Sequence, residues 1–157
     1  MDVAQFQALI ARLTEEIAGV PLDSALEAHL NAEYCPGSPL YDQLFDACKT
    51  GVRDGWLCAR EAGGIRYGRV LKATPATHGF SVDVVEMADL AGPHHRHPHG
   101  EIDLIMPQDG NATFDTHPAG WCVYEAGSAH YPTVAGGRAL VLYLLPQGAI
   151  EFTAAAA

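Results

Sequence analysis

Residues 92–101 read GPHHRHPHGE, and the fold that we expect of the chain rests mainly on this segment. Residues two apart on an extended strand share one face, so His95 and His97 are predicted to point the same way. Glu101 has the same parity and follows a Pro-His-Gly turn that allows it to fold back beside them. Two imidazoles and a carboxylate on one inward face form a ligand set suited to a divalent metal ion.

A second, shorter pattern lies downstream, where His130 follows a tight turn over residues 125–129. The spacing HxHxxxE at 95–101, followed by GxxH at 127–130, resembles the two metal-binding motifs of the cupin superfamily. That resemblance implies a cupin-type antiparallel β-barrel, the jelly roll. It also implies that His95, His97, Glu101 and His130 bind one metal ion inside the barrel. These ligands suit Zn, Fe, Mn, Ni or Co, and the sequence does not choose among these metals because their ligand preferences overlap.

The sequence around the two motifs consists of short β-rich runs separated by Gly, Pro, Asn and Asp. These runs cover residues 65–73, 79–87, 101–106, 120–124, 139–145 and 149–153. Closely spaced strands without intervening helices are typical of an antiparallel sandwich or barrel. The second half of the chain is therefore predicted to be mainly β.

The first sixty residues have a different periodicity. Apolar residues from Val3 to Ile17 recur at steps of three and four, which predicts an amphipathic helix. A second helix is predicted from Asp23 or Ser24 to about Ala32, and a third from Leu40 to near Gly55. We therefore expect a small helical region over residues 1–60, packed on a β-barrel over residues 61–157 in one compact unit.

Composition excludes several classes of function. The chain has 157 residues, which is enough for one domain, and its 19 acidic and 9 basic side chains give a net charge of −10. Nucleic-acid binding normally needs a basic face, so it is not expected. The longest apolar run, Ala139–Leu145, is far shorter than a membrane span, and the N-terminus lacks the pattern of a signal peptide. These features predict a cytoplasmic protein.

Several segments together indicate a narrower family. They are GPHHRHP at 92–98, GEIDLIMP at 100–107, HPAGW at 117–121, GSAH at 127–130 and GGRALVLYLLP at 136–146. Over about sixty residues this sequence resembles the 4-hydroxylaminobenzoate lyase family of bacterial nitroaromatic degradation. The resemblance implies conversion of a small anionic aromatic substrate, 4-hydroxylaminobenzoate, to 3,4-dihydroxybenzoate with release of ammonia.

The reaction implied by the resemblance suggests roles for particular residues. It requires N–O cleavage, hydroxylation of the neighbouring ring carbon and hydrolysis of an imine. A Lewis-acidic metal suits the first and last of these steps. A nearby carboxyl group is needed to move protons, and either Glu101 or Asp103 is a candidate because the two share a parity.

The substrate carboxylate calls for a guanidinium group. Five of the nine basic residues lie between positions 53 and 72. Arg66 and Arg69 among them differ in strand parity, so at most one is expected to face the cavity. Arg96 lies between two predicted ligands, and a surface salt bridge is its default role. It is a third candidate for binding the substrate carboxylate. Trp121 and Tyr143 are candidates for the aromatic wall, although aromatic residues on barrel strands usually pack in the core.

Two other functions fit the same ligand set. One is a different cupin enzyme, such as an Fe(II) dioxygenase acting on a small aromatic or thiol substrate, for which turnover would require dioxygen. The other is a non-catalytic metal or small-molecule sensor. His94, His99 and Glu125 are further candidates for contact with a substrate, although the parity of the two histidines favours the barrel exterior or mouth. A homodimer is expected, because paired sheet edges protect their backbone groups.

Overall fold

In the computed structural model, which describes residues 1–153, three helices precede a set of antiparallel strands. The helices are α1 Val3–Ile17, α2 Ser24–Glu33 and α3 Pro39–Asp54. The strands are β1 Arg60–Ala62, β2 Ile65–Leu71, β3 Phe80–Ala91, β4 His95–His97, β5 Glu101–Pro107, β6 Thr113–Phe114, β7 Gly120–Tyr124, β8 Ser128–His130, β9 Thr133–Pro146 and β10 Glu151–Phe152. A short 3₁₀ helix, Pro75–Thr77, separates β2 from β3.

Each helix begins or ends at a residue of a type that commonly caps helices. Asp2 caps α1 by accepting a hydrogen bond from the Gln5 amide, and Asp23 caps α2 through the Leu26 amide. Gly55 ends α3 in the left-handed conformation that glycine adopts without strain. The three predicted helices are therefore confirmed, with boundaries within a few residues of those expected.

The strands form two antiparallel sheets. The larger sheet has the order β1-β2-β3-β9-β5-β7, and β6 also pairs with β9. The smaller sheet has the order β10-β4-β8. The predicted fold class, antiparallel β-structure preceded by helices, is confirmed. Among the described residues, no helix is both long enough and apolar enough to cross a membrane.

The larger sheet is covered on both faces. Side chains such as Val84, Leu104 and Leu142 pack with α1, α2 and α3 in one hydrophobic core. Their neighbours along the strands, among them Val85 and Val141, point to the opposite face and form a second cluster with Phe114. The helices thus cover the outside of the sheet and leave its inner face to build the interior of the barrel.

The central strands are longer than the sequence predicted. β3 has 12 residues and β9 has 14, and their pairing runs from Phe80 opposite Pro146 to Ala91 opposite Thr133. The short strands β1, β6 and β8 were not predicted, because two or three partly polar residues carry no periodic signal. Their formation depends on pairing with longer neighbours.

Candidate metal centre and active site

Three histidines are brought together by the smaller sheet. His95 and His97 lie on β4, and the pairing of β4 with β8 places His130 directly opposite His95. Glu101 begins β5 in the larger sheet and closes the group from the other side. One ligand atom from each of the four side chains lies within 4.8 Å of those of the others.

The distances within this group fit a single metal ion. His130 Nε2 lies 3.0 Å from His95 Nε2, and His97 Nε2 lies 3.1 Å from Glu101 Oε2. The distance from His130 Nε2 to the same Glu101 oxygen is 4.0 Å. An ion bound tetrahedrally at about 2.1 Å holds its ligand atoms about 3.4 Å apart. The four side chains therefore surround a space of the right size.

Buried atoms without partners support the same conclusion. His97 and Glu101 are fully buried. His97 Nε2 and Glu101 Oε2 are close but do not have the geometry of a hydrogen bond, and within the described residues neither these two atoms nor Glu101 Oε1 makes one. A buried carboxylate without a partner is strongly destabilising. A divalent cation at the centre of the group satisfies all of these atoms at once, so the residues present fit a metal.

The outward-facing nitrogen of each ring has its own partner. His97 Nδ1 lies 2.9 Å from Ser128 Oγ, and His95 Nδ1 lies 3.3 Å from the Pro93 carbonyl oxygen. His130 Nδ1 bonds to the Asp115 carboxylate. Partners of this kind fix the tautomer and the ring orientation, leaving Nε2 free to bind a metal. Burial also lowers the pKa of His95 to about 4, which keeps this imidazole neutral.

Asp115 is a residue of the site that the sequence did not reveal. Its carboxylate accepts hydrogen bonds from the Tyr124 hydroxyl and the Thr133 amide, in addition to His130. Burial alone would raise the pKa of Asp115, but the hydrogen bonds from His130 and Tyr124 lower it below its ordinary value. An ionised carboxylate therefore holds His130 in place. Asp115 lies in a turn with a positive φ of 47°, where no strand parity relates it to His130.

Ser128 could have been found from sequence parity. It precedes His130 by two residues, so the two share a face of β8, and it pairs directly with His97.

A second buried carboxyl group lies beside the metal ligands. Asp103 is fully buried, and neither of its carboxylate oxygens makes a hydrogen bond within the described residues. Burial and then the neighbouring Glu101 raise the pKa of Asp103 well above its ordinary value. Asp103 pairs across the sheet with Tyr143, whose own pKa is raised well above its ordinary value by burial, so the phenol keeps its proton.

A cavity opens against this group. It has a volume of about 300 Å³, and its wall includes His95 and Tyr143. The remaining lining is mostly apolar, with Ile65, Val85, Met87, Ile150 and Phe152 among its residues. An apolar cavity with a few polar groups at one end is typical of a site for a small molecule.

Comparison with known proteins identifies the family. Residues 8–152 match the PnbB family, 4-hydroxylaminobenzoate lyase. The chain belongs to this family. It is 37% identical to a 4-hydroxylaminobenzoate lyase of Nocardioides sp. (strain LMS-CY), over 81% of this chain and 80% of that protein. It is 31% identical to a 4-hydroxylaminobenzoate lyase of Pseudomonas putida, over 81% of this chain and 82% of that protein. The predicted family is confirmed, and the chain is an enzyme of the lyase family.

Solved structures that resemble part of this chain include two proteins with lower sequence identity than the two lyases. An RmlC-like cupin protein from Ralstonia eutropha is 17% identical, with a TM-score of 0.45 over 62% of this chain and 64% of that one. A polyketide cyclase from Streptomyces resistomycificus is 13% identical, with a TM-score of 0.44 over 60% of this chain and 75% of that one.

The substrate-binding residues suggested by the resemblance to the lyase family are not all near the metal ligands. Tyr143 lies at the cavity, with its ring centroid 6.3 Å from that of His95. Arg69 binds Asp83 and lines an adjoining cavity. The strand parity of Arg66 is opposite to that of Arg69. Arg66 forms an ion pair with Glu86 at 3.3 Å on the other face of the sheet.

The two other candidates lie outside the cavity. Arg96 is half-exposed and forms an ion pair with Glu151 at 3.3 Å, which is the default role that its position suggested. Trp121 packs with the helices, where its Nε1 donates to the Tyr34 carbonyl oxygen at 2.9 Å. Its side chain therefore lies on the face of the sheet opposite the metal ligands.

The remaining candidates lie at the surface. His94 bonds to the Thr153 hydroxyl and contacts the Tyr131 ring at a tilted angle, while His99 lies exposed on a turn and Glu125 exposed in a loop. None of these three side chains is part of the group of metal ligands.

Proposed function

We propose that the protein is a metal-dependent lyase that converts 4-hydroxylaminobenzoate and one water molecule to 3,4-dihydroxybenzoate and ammonia. One observation carries the proposal: a buried group of three histidines and a glutamate, with unpartnered ligand atoms, lies beside an apolar cavity in an enzyme of the 4-hydroxylaminobenzoate lyase family. His95, His97, Glu101 and His130 would hold the ion.

The proposed reaction balances without an external oxidant. The N–O bond breaks and its electron pair leaves with the oxygen, which takes up a proton and departs as water. A second water adds to the ring carbon adjacent to the one that bears the nitrogen and releases a proton. A third hydrolyses the resulting imine and releases ammonia, and the ring regains aromaticity by moving a proton. The net consumption is one water. The hydroxylamine nitrogen is reduced by the two electrons that the ring loses when its C–H becomes C–OH.

The bound cation would supply Lewis acidity, which favours departure of the hydroxylamine oxygen and acidifies water for the hydrolytic step. The protein supplies the geometry. The Nδ1 partners of the three histidines keep each Nε2 aimed at one point, so the reacting end of the substrate meets ligands held in a fixed arrangement.

Protons must be moved at the same place. Asp103 lies two residues along β5 from Glu101 with the same strand parity and has no hydrogen-bond partner in the described chain. A carboxyl group in that position is suited to give a proton to the departing oxygen and to take one from the attacking water. Glu101 is the alternative for this role if it is not firmly bound to the ion.

The cavity suits the rest of the substrate. Its apolar lining, including Val85 and Phe152, would bury the aromatic ring. The Tyr143 ring forms part of the wall next to His95.

An anaerobic assay tests the proposal. Purified protein loaded with metal is expected to release ammonia and 3,4-dihydroxybenzoate from 4-hydroxylaminobenzoate in equal amounts without dioxygen. An absolute requirement for dioxygen would favour the Fe(II) dioxygenase instead. Metal binding without turnover of this substrate, with or without dioxygen, would favour the non-catalytic alternative.

A further inference from the structure

The cavity beside His95 adjoins a second one. The second cavity has a volume of about 480 Å³. The two share part of their walls, formed by Tyr67, Val85, Tyr143, Ile150 and Phe152. They are therefore two halves of one cleft, and we call them the apolar half, which contains His95, and the charged half, which contains Arg60, Arg69 and Asp83.

The two halves differ in chemistry in a way that suits a ring with polar groups at both ends. The apolar half ends at the metal ligand His95, whereas the charged half contains two guanidinium groups. In a para-substituted benzoate the carboxylate points away from the substituent that reacts. A substrate whose reacting group lies at the metal ligands would direct its carboxylate away from them, toward the charged half.

Arg69 is already neutralised by its neighbours. Its Nε and Nη2 donate to the two carboxylate oxygens of Asp83 at 3.0 Å and 3.1 Å. Nη2 also donates to the Gly148 carbonyl oxygen at 3.2 Å. A guanidinium held in this way by a carboxylate has little net charge left for a second anion. Its contribution is to shape the charged half of the cleft.

Arg60 is in a different situation. It begins β1 and pairs directly with Tyr67, so the two share the face of the sheet on which the cleft lies. Arg66, Arg69, Arg96 and Arg138 each form an ion pair with a carboxylate, whereas Arg60 forms none within residues 1–153. Its guanidinium is exposed and keeps its five donors for a ligand.

We propose that Arg60 binds the carboxylate of the aromatic substrate and thereby selects para-substituted benzoates over neutral aromatic rings. The inference rests on the proposed function, because that function supplies an anionic aromatic substrate. A guanidinium binds a carboxylate through two parallel hydrogen bonds, which fixes orientation as well as adding affinity. Arg60 thus determines specificity from the end of the cleft remote from the reacting group.

Binding of unreactive ligands tests this assignment. The affinities of 4-aminobenzoate and of the neutral 4-aminobenzamide are measured by calorimetry for the metal-loaded wild type, Arg60→Met and Arg60→Lys. We expect Arg60→Met to weaken binding of the benzoate about tenfold or more and to leave binding of the benzamide unchanged. Arg60→Lys keeps the charge and should restore part of the preference. Arg53→Met, which removes an exposed arginine on α3, is the matched control and should bind both ligands as the wild type does.

Four results would overturn the assignment. One is a wild type that binds the two ligands equally, the second is an Arg60→Met variant that keeps the preference, and the third is a variant that loses affinity for both ligands alike. A selective loss in Arg69→Met but not in Arg60→Met would also overturn it. If the wild type prefers the benzoate through Arg60 yet does not turn over 4-hydroxylaminobenzoate, the proposed function fails and the assignment of Arg60 stands.

Discussion

At the scale of single residues, the site depends on which nitrogen of each histidine faces inward. Three separate partners, Ser128, Asp115 and the Pro93 carbonyl, occupy the Nδ1 positions of the three rings. The Nε2 atoms therefore converge with Glu101 on one point. This convergence supports the proposed metal binding, because a preformed ligand set needs little rearrangement to accept an ion.

Replacement of His97 by alanine is expected to abolish metal retention. Its Nε2 is fully buried and unpartnered, and three ligands with a gap on one side hold an ion much less tightly. Elemental analysis of purified His97→Ala should show a large loss of metal per chain. The control is His94→Ala, which removes a neighbouring histidine that lies outside the ligand group and should retain the metal. If His97→Ala keeps full metal occupancy, the proposed set of metal ligands is wrong.

Replacement of Asp103 by asparagine should separate proton transfer from metal binding. Asparagine preserves the shape of the side chain but does not exchange protons as a carboxyl group does, so kcat is expected to fall about 10²- to 10⁴-fold. The metal content should remain that of the wild type, because Asp103 is not one of the ligands. Steady-state kinetics and elemental analysis on the same preparation measure both quantities. Asp46→Asn, an exposed substitution on α3, is the control, and an unchanged kcat in Asp103→Asn would remove this residue from the mechanism.

At the scale of elements, α2 protects the open edge of the larger sheet. β7 is the last strand of that sheet, so its outer backbone groups have no strand to pair with. Asn31 binds both the amide and the carbonyl oxygen of Trp121, at 2.8 Å and 2.9 Å, and Glu27 accepts from the Val123 amide at 2.8 Å. Side chains of a helix thus replace the missing strand, which protects the edge from pairing with another chain.

Replacement of Asn31 by alanine should therefore destabilise the protein. The Trp121 amide and carbonyl both lose their partner, and a loss of about 1–3 kcal/mol in the free energy of unfolding is expected. Urea unfolding monitored by tryptophan fluorescence measures this change. Glu33→Ala, an exposed substitution on the same helix, should alter stability by no more than about 0.5 kcal/mol. If the two variants are equally stable, the Asn31 hydrogen bonds contribute no more to the free energy of unfolding than hydrogen bonds to water would.

At the scale of the whole molecule, the larger sheet joins two regions with different tasks. Its outer face packs with α1, α2 and α3 in an apolar core, while its inner face carries Glu101, Asp103 and Tyr143. The buried polar groups of the inner face are unfavourable by themselves, and the outer core offsets that cost. The expected homodimer remains a prediction, for which sedimentation equilibrium is the measurement.

Removal of the metal should lower the stability of the whole protein. Ligand binding to the native state stabilises it by about 2.7 kcal/mol when the free ion is at a hundred times its Kd. Exhaustive chelation is therefore expected to lower the unfolding temperature in a calorimeter, and readdition of the cation should restore it. The His97→Ala variant is the matched control, since its unfolding temperature should not respond to the chelator. A wild type that is equally insensitive would contradict a resident ion at this site.

Much of this organisation was predictable because the signals are local. The apolar stripe of Val3–Ile17, the caps at Asp23 and Gly55, and the parity of His95, His97 and Glu101 each involve residues close together in the chain. The closely spaced β-runs indicated the antiparallel fold class. The same approach overlooked β1, β6 and β8, because segments of two or three residues become strands only through their partners.

The helices, the antiparallel β-fold and the lyase family thus followed from the sequence alone, and so did the four residues proposed to hold a metal ion. The tertiary structure decided which side chains accompany that set: it brought Asp115 to His130 and placed Arg69 at the cleft, and it turned Trp121 toward the helices. The physical reason is that parity states only which residues share a face of a strand. Which of the two faces lies inside the barrel depends on strand pairing and on what covers the sheet, and both are set by residues far apart in the chain.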